Sequence, residues 1–164
     1  MKNLLLLRHA KSLKGDLNLQ DFDRPLNDIG LAQVSVLTNL FKDHNIVPDY
    51  ILSSSSKRTS QTAQILADQL KFKGEFKWLD ELYEAACSDY IRALKNLPDA
   101  SRDVLLVGHN PTHEEFLYIM TGQNQLLSTG AVAIIELPIN HWKELTDRTV
   151  GKLIQTFQPK DLME

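Results

Sequence analysis

Cysteine is almost missing from this chain: Cys87 is the only one in 164 residues. An intrachain disulfide is therefore excluded, and a reducing, cytoplasmic compartment is expected. Long apolar runs are missing too. Nothing approaches the ~20 residues of a membrane helix. The start, Met1-Lys2-Asn3 before four leucines, lacks the longer apolar region and cleavage site of a signal peptide. Positive charge is not in excess either: 18 Lys and Arg against 21 Asp and Glu leave a net charge of -3, with a pI near 5.9. That removes the electrostatic case for nucleic acid or an anionic membrane as partner, so any anion-binding site must be local. The 7 glycines form neither a Walker loop nor a dinucleotide fingerprint. No internal repeat, low-complexity run or domain boundary interrupts the chain. Its length suits one domain, residues 1–164, with a substantial core.

What is present begins with Leu4-Leu5-Leu6-Leu7, an apolar run suited to a strand buried on both faces in the middle of a parallel sheet. Ligands in such folds bind outside the carboxyl ends of the strands. The next two residues are Arg8 and His9. Arginine offers a fork of donors matched to phosphate or carboxylate, and histidine is a nucleophile that titrates near neutrality. Together they read as a phosphoryl-transfer site. Taken singly, such a pair is as readily a solvated arginine beside a strand-capping histidine.

Residues 11 to 27 are polar and irregular, a loop leaving that end of the sheet. Recurring apolar Ile29, Ala32, Val36, Leu37, Leu40 and Phe41 predict a helix from about Asp28 to His44. Pro48 to Leu52 reads as a second strand, followed by four serines, Lys57, Arg58 and Thr59. One of the later serines should cap a helix that starts near Lys57 and carries Ala63, Ile65, Leu66, Ala67 and Leu70. Arg58 in its first turn opposes the helix dipole, which makes sense if an anion sits between them; an ordinary surface loop is the alternative. Phe76 to Leu79 is a third strand and residues 88 to 97 a helix. Asp103 to Val107 is a second strand apolar on both faces, ending in Gly108-His109-Asn110-Pro111. Asn110 is expected to cap, and Pro111 to open, a helix reaching about Thr121. Gly130 to Leu137 is a fifth strand, a local helix or turn surrounds Trp142, and Gly151 to Gln158 alternates like an edge strand with one face in water. This alternation predicts an α/β fold: one three-layer α/β/α sandwich with a mostly parallel central sheet and one antiparallel edge strand.

Both of the most apolar strands end in a histidine, His9 and His109, and a third strand ends near Arg58. In a parallel sheet these ends share one side, so Arg8, His9, Arg58 and His109 can meet in one pocket. Such a set carries far more weight than any single pair.

The segments Leu-Arg-His-Ala-Lys-Ser (7–12), Ser-Ser-Ser-Lys-Arg-Thr-Ser-Gln-Thr-Ala (54–63) and Val-Gly-His-Asn-Pro (107–111) resemble the signatures of the histidine phosphatase superfamily, which includes the cofactor-dependent phosphoglycerate mutases. Arg24-Pro25-Leu26, Glu81-Leu82-Tyr83-Glu84 and Thr129-Gly130-Ala131 are similar to its SixA-type phosphohistidine phosphatase branch. The likeness spans Leu4 to about Leu137, and departs at Ala10, where many members have glycine. It implies a phosphoglycerate-mutase-like fold and a nucleophile, His9, that is transiently phosphorylated. Arg8, Arg58 and His109 would then hold the phosphoryl oxygens, with Ser12 and Arg24 at the pocket mouth. Phosphoryl transfer asks for in-line positioning and spread positive charge, so no metal or other cofactor is expected. His109 would add a third donor if protonated.

Glu84 matches the position where mutase-like members place a general acid. Two enzymatic readings follow. One is hydrolysis of phosphohistidine on a protein partner, for example a histidine phosphotransfer domain, where the imidazole leaving group needs little help. The other is hydrolysis of small phosphate esters with Glu84 as acid. A third reading, from a different class, is a module that binds phosphate without turnover, although mere binding needs no nucleophile. Cys87 and Arg92 are spaced one residue short of a cysteine-phosphatase loop, and Cys87 is expected to be structural. His109 and His113 have zinc-compatible spacing without an evident third ligand. His44 and His141 are expected at the surface.

Overall fold

The computed structural model describes residues 1–15 and 18–163. Its centre is β1, Lys2–Arg8, whose four leucines are at most 3% exposed. Side chains alternate across a strand, so Leu4 and Leu6 enter one apolar cluster while Leu5 and Leu7 enter another. The first cluster is closed by α3 (Cys87–Lys95) and α4 (Thr112–Thr121), through Tyr90, Leu94, Phe116 and Leu117. The second is closed by α1 (Asp28–Asp43) and α2 (Lys57–Gln69), through Leu37, Phe41, Ala63 and Leu66. Helices therefore cover both sheet faces, giving the three layers expected. Among the described residues, no helix is long and apolar enough to cross a membrane.

The remaining strands are β2 (Tyr50–Ser54), β3 (Glu75–Leu79), β4 (Asp103–Gly108), β5 (Val132–Leu137) and β6 (Lys152–Phe157). They form one sheet in the order β3-β2-β4-β1-β5-β6. β3, β2, β4 and β1 run parallel. The reversed strand is β5, antiparallel to both β1 and β6, so it sits one place in from the edge rather than at the edge. Edge strand β6 does not keep the expected alternation: a register shift against Ile134 and Ile135 of β5 sends Leu153 to one apolar cluster and Phe157 to the other, with Gln155 exposed. Trp142 lies in a short 3-10 turn, Trp142–Glu144, fully buried with its indole N–H donating to the Ser101 carbonyl at 2.6 Å.

Three local expectations change. The buried face of α1 is Gly30, Gln33, Val34, Leu37, Thr38, Leu40 and Phe41, whereas Ile29 is 50% exposed and Ala32 is also exposed. Gly30 sets that rotation: a Cβ there would stand 2.0 Å from the Lys11 carbonyl oxygen, so the helix start rests on the loop after β1 through a residue without a side chain. β2 runs on through Ser53 and Ser54, both fully buried, because their hydroxyls find partners at the Ser54 carbonyl and the His109 ring. Asn110 does not cap α4. Pro111 stands at that position, while the Asn110 amide donates to Glu114 at 2.7 Å and to the Leu127 carbonyl at 3.0 Å.

The sheet centre should be the costly place to cut. Leu6→Ala is expected to lower unfolding free energy by about 2–5 kcal/mol, against about 0.5 kcal/mol or less for Ile29→Ala on the exposed side of α1. Urea titrations of both variants check this, and equal losses would contradict the assigned burial.

Candidate active site

Pairing between β1 and β4 aligns Arg8 with Gly108, and the His9 amide donates to the Gly108 carbonyl at 3.1 Å. His9 and His109 thus leave adjacent strand ends side by side, with ring centroids 5.4 Å apart. β2 pairs with the other side of β4, and two residues beyond it α2 begins, carrying Arg58 as its second residue. A cleft of about 650 Å³ is lined by Arg8, His9, Arg58 and His109, with Ser12 and Arg24 among its walls. The four residues singled out from the strand ends do meet.

In His9, Nδ1 lies 2.7 Å from the Ala10 carbonyl oxygen. A carbonyl only accepts, so Nδ1 carries the proton and Nε2 keeps the lone pair a nucleophile needs. Burial, reinforced by the nearby Arg58 and Arg8 charges, pulls the His9 pKa down to about 3, against the Ala10 hydrogen bond. The ring is neutral near pH 7. His109 is likewise lowered to about 3, by burial first and then by His9 and Arg58. Its Nε2 is 3.0 Å from the Ser54 hydroxyl, which itself accepts from the Ser56 amide at 3.4 Å. Ser54 O–H can therefore donate to Nε2, which leaves the N–H of His109 on Nδ1. The neutral ring is then a donor without being protonated.

Arg8 donates from one terminal nitrogen to the Leu127 carbonyl at 2.9 Å. Arg58 sends both terminal nitrogens to Asp21, 2.7 Å to the carbonyl and 3.0 Å to the carboxylate. That spends the end of the Arg58 fork and leaves its side, Nε and the second hydrogen of a terminal nitrogen, for another acceptor. Among the described residues, five buried side-chain N or O atoms lack a partner: Arg8 Nε, Arg58 Nε, His109 Nδ1, Asn110 Oδ1 and Thr156 Oγ1. The first four belong to residues lining this cleft. Three are N–H donors beside one neutral imidazole, each costing about 1–3 kcal/mol while unmet. All three belong to residues lining one cleft, and an anion with several oxygens is the kind of acceptor they lack.

Ser12 is buried and bridges to Leu26 through the backbone. Arg24 spends its side chain on Asp21 at 2.8 Å and on the Leu13 carbonyl at 2.8 Å. Glu84 is exposed, with φ of 53°, and lines an adjoining cleft of about 460 Å³ rather than the one holding His9. The two clefts share Arg58, His109 and Asn110.

Several supporting residues were not anticipated. Asp21 accepts from the Tyr83 hydroxyl at 2.5 Å and pairs with Arg58 and Arg24; the Tyr83 hydrogen bond first, then Arg58 and Arg24, hold its carboxyl down to about 2. Burial, then Asp21, pushes Tyr83 up to about 12. Gln33 accepts from the Lys11 amide and donates to Thr129. Thr62 accepts from the Ala10 amide at 3.0 Å, and Glu114 accepts from Asn110 and the Leu127 amide. The only signal for Asp21 was its place beside Arg24-Pro25-Leu26. Partners so far apart in sequence leave no periodic trace.

His113 is fully buried, with Nε2 2.8 Å from the Leu7 carbonyl and Nδ1 2.7 Å from the Tyr90 hydroxyl, so both ring nitrogens are spent within the core. Among the described residues there is no group of three His, Cys, Asp or Glu arranged for a metal ion. Cys87 and Arg92 share helix α3 and cannot form a phosphate loop, and burial pushes the Cys87 thiol up. His44 and His141 are exposed, as expected.

The buried histidines predict a pH dependence. His9 and His109 near 3 and His113 near 4 all lie below the ordinary 6.5. Between those values the unfolded chain binds protons that the folded chain refuses. The stability these rings contribute is present above pH ~6.5 and is lost as pH falls toward their folded pKa values, with a slope of up to about 1.4 kcal/mol per pH unit for each. Asp21 adds a further loss as pH falls from about 4 through 2. Urea midpoints from pH 7 to 4 should fall steeply, less so in His9→Gln. A flat profile would mean that the rings are not held neutral.

The histidine phosphatase superfamily (branch 1) matches residues 4–95 of the chain. A chloroplastic protein of Arabidopsis thaliana is 31% identical over 153 residues, covering 87% of this chain and 70% of the relative. A structure from Agrobacterium tumefaciens, described as a candidate phosphohistidine phosphatase SixA, superposes with a TM-score of 0.83 at 29% identity. It covers 96% of this chain and 98% of its own. A structure described as protein histidine phosphatase SixA with tungstate shares the fold at a TM-score of 0.80 and 22% identity, covering 98% and 99%. With His9 and its ring of donors inside the matched fold, the chain belongs to the histidine phosphatase superfamily, branch 1, and has the architecture of its SixA-type members.

Proposed function

We propose that the chain, as one domain spanning residues 1–164, is a metal-independent phosphatase that hydrolyses phosphohistidine on a protein partner. The observation that carries this reading is the neutral His9 ring, with Nδ1 tied to the Ala10 carbonyl, beside the three unmet donors Arg8 Nε, Arg58 Nε and His109 Nδ1. In the first step Nε2 of His9 forms a bond to phosphorus as the bond from phosphorus to the substrate imidazole breaks. The departing imidazole nitrogen picks up a proton from water. Positive charge that develops on the His9 ring is stabilised through Nδ1–H by the Ala10 carbonyl, while Arg8, Arg58 and His109 face the phosphoryl oxygens. In the second step water attacks phosphorus, the bond to Nε2 breaks, phosphate leaves and a proton passes to solvent. Ser12 and Arg24 frame the opening, Arg24 through Asp21.

The cleft is open and the segment from Asp80 to Arg102 holds only a 3-10 turn, Asp80–Leu82, and the short helix α3, which suits a side chain presented by another protein. Likeness to the Agrobacterium SixA structure supports a phosphorus–nitrogen substrate, and an unpaired Cys87 suits a cytoplasmic setting. A second reading rests on Glu84, whose cleft shares Arg58 and His109: a small phosphate ester could leave on that side, with Glu84 as general acid.

Phosphate release with EDTA present separates these readings. Wild type and Glu84→Gln should cleave a phosphohistidine protein alike and p-nitrophenyl phosphate poorly. His9→Ala should lose about 10³-fold or more of the turnover while still binding phosphate. Acid-labile, base-stable label on His9 during turnover should be seen by mass spectrometry. Fast ester cleavage abolished by Glu84→Gln would favour the phosphomonoesterase instead. Unchanged binding with no turnover by wild type would leave only phosphate recognition.

A further inference from the structure

The two clefts that meet at Arg58 and His109 carry opposite charge. The cleft holding His9 is lined, beyond Arg8 and Arg58, by Lys11, Lys14, Arg24 and Lys160, and among the described residues by no Asp or Glu. The adjoining cleft is lined by Asp21, Glu84 and Glu115. Arg24 is paired with Asp21, a carboxylate it shares with Arg58. Lys11, Lys14 and Lys160 enter no ion pair among the described residues. They come from separate parts of the chain, two from the loop after β1 and one from the 3-10 turn Pro159–Asp161. Lys14 and Lys160 are exposed, and Lys11 is half-buried. A chain of net charge -3 thus gathers, around one opening, three ammonium groups that pair with no carboxylate among the described residues.

These lysines are additional to the three donors that meet a phosphoryl group. Exposed ammonium groups on two separate segments spread charge across a face instead of closing around one small anion. Singly, such groups contribute little to affinity. Together they orient and accelerate the approach of a surface of opposite sign, an effect that salt screens. On the phosphohistidine reading of the site, we infer that the protein partner presents carboxylates beside its phosphorylated histidine, seated over Lys11, Lys14 and Lys160. Its uncharged or basic side then faces Glu84 and Glu115. The charge division fixes one docking orientation.

The test uses synthetic peptides, each with one phosphohistidine flanked by Asp and Glu, by Ser, or by Lys. For wild type, kcat/KM should favour the acidic over the basic peptide by about 10-fold or more at ~50 mM salt, through KM, and the preference should vanish near ~0.5 M. The Lys11→Gln/Lys14→Gln/Lys160→Gln variant should lose the preference while hydrolysing inorganic phosphoramidate at the wild-type rate. Lys14→Gln/Lys160→Gln, which leaves the half-buried position intact, should lose most of it. Equal rates on acidic and basic peptides, or a preference that survives the triple substitution, would overturn the inference. So would a triple variant whose chief defect is with a small bisphosphate ester, because the lysines would then serve a second phosphate. Binding of the same peptides to His9→Ala reads the charge preference without turnover. Acid-selective binding there, with no peptide hydrolysed by wild type, would uphold the docking surface and overturn the phosphohistidine reading.

Discussion

A hydrogen bond between neighbours in sequence governs this site. Nδ1–H of His9 donates to the Ala10 carbonyl, 2.7 Å away, and that bond decides which ring nitrogen keeps its lone pair. Nothing in the chemistry of histidine favours Nε2 otherwise. The bond is effective because the ring is buried and flanked by Arg8 and Arg58, which keep it from taking a second proton. Cation and nucleophile thus depend on one another. The arginines keep donors free toward the cleft, and their charge adds to burial in holding the imidazole neutral.

Holding these groups costs stability that the two apolar cores must offset. β1 is the shared wall of both cores, and its carboxyl end is tied from several sides. His113 meets the Leu7 carbonyl and is itself fixed by Tyr90, Thr62 accepts from the Ala10 amide, and the Gly130 amide donates to the His9 carbonyl at 2.9 Å. Gly108 gives this network room: a Cβ there would stand 2.6 Å from the Tyr90 hydroxyl and 2.8 Å from the His113 ring. Two imidazoles in neighbouring positions therefore do different work, His109 toward the cleft and His113 toward the strand.

Asp21 links the loop to the helix. By taking the end of the Arg58 fork it fixes the guanidinium plane and leaves the side of the fork turned elsewhere. Tyr83 and Arg24 hold Asp21 in turn, so residues from three separate segments settle the pose of one cation. The same carboxylate stands at the border between the cationic cleft and the acidic one. In a chain of net charge -3, six Lys and Arg side chains line the cleft that holds His9.

Much of this was legible in the chain itself. Runs such as Leu4–Leu7 and Val104–Val107 read directly as doubly buried strands, because burial on both faces removes polar residues from the sequence. Strand ends that share one side of a parallel sheet then place Arg8, His9, Arg58 and His109 around one cleft. Local reading failed where distant contacts override periodicity. Gly30 turns α1 against Lys11, Ser53 and Ser54 extend β2 by partnering inside the protein, and Asn110 leaves the cap position for Glu114 and Leu127. The reversed strand β5 lies inside the sheet because pairing order is not written in the residues of any one strand. By itself, then, the sequence determined the alternation of elements and which side chains gather at the cleft, since hydrophobic period and side-chain chemistry are local properties. Tertiary structure alone decided the His9 tautomer, the neutrality of His109, the hold of Asp21 on Arg58 and the division of charge between the clefts. Each of those is set by burial and by partners tens of residues away.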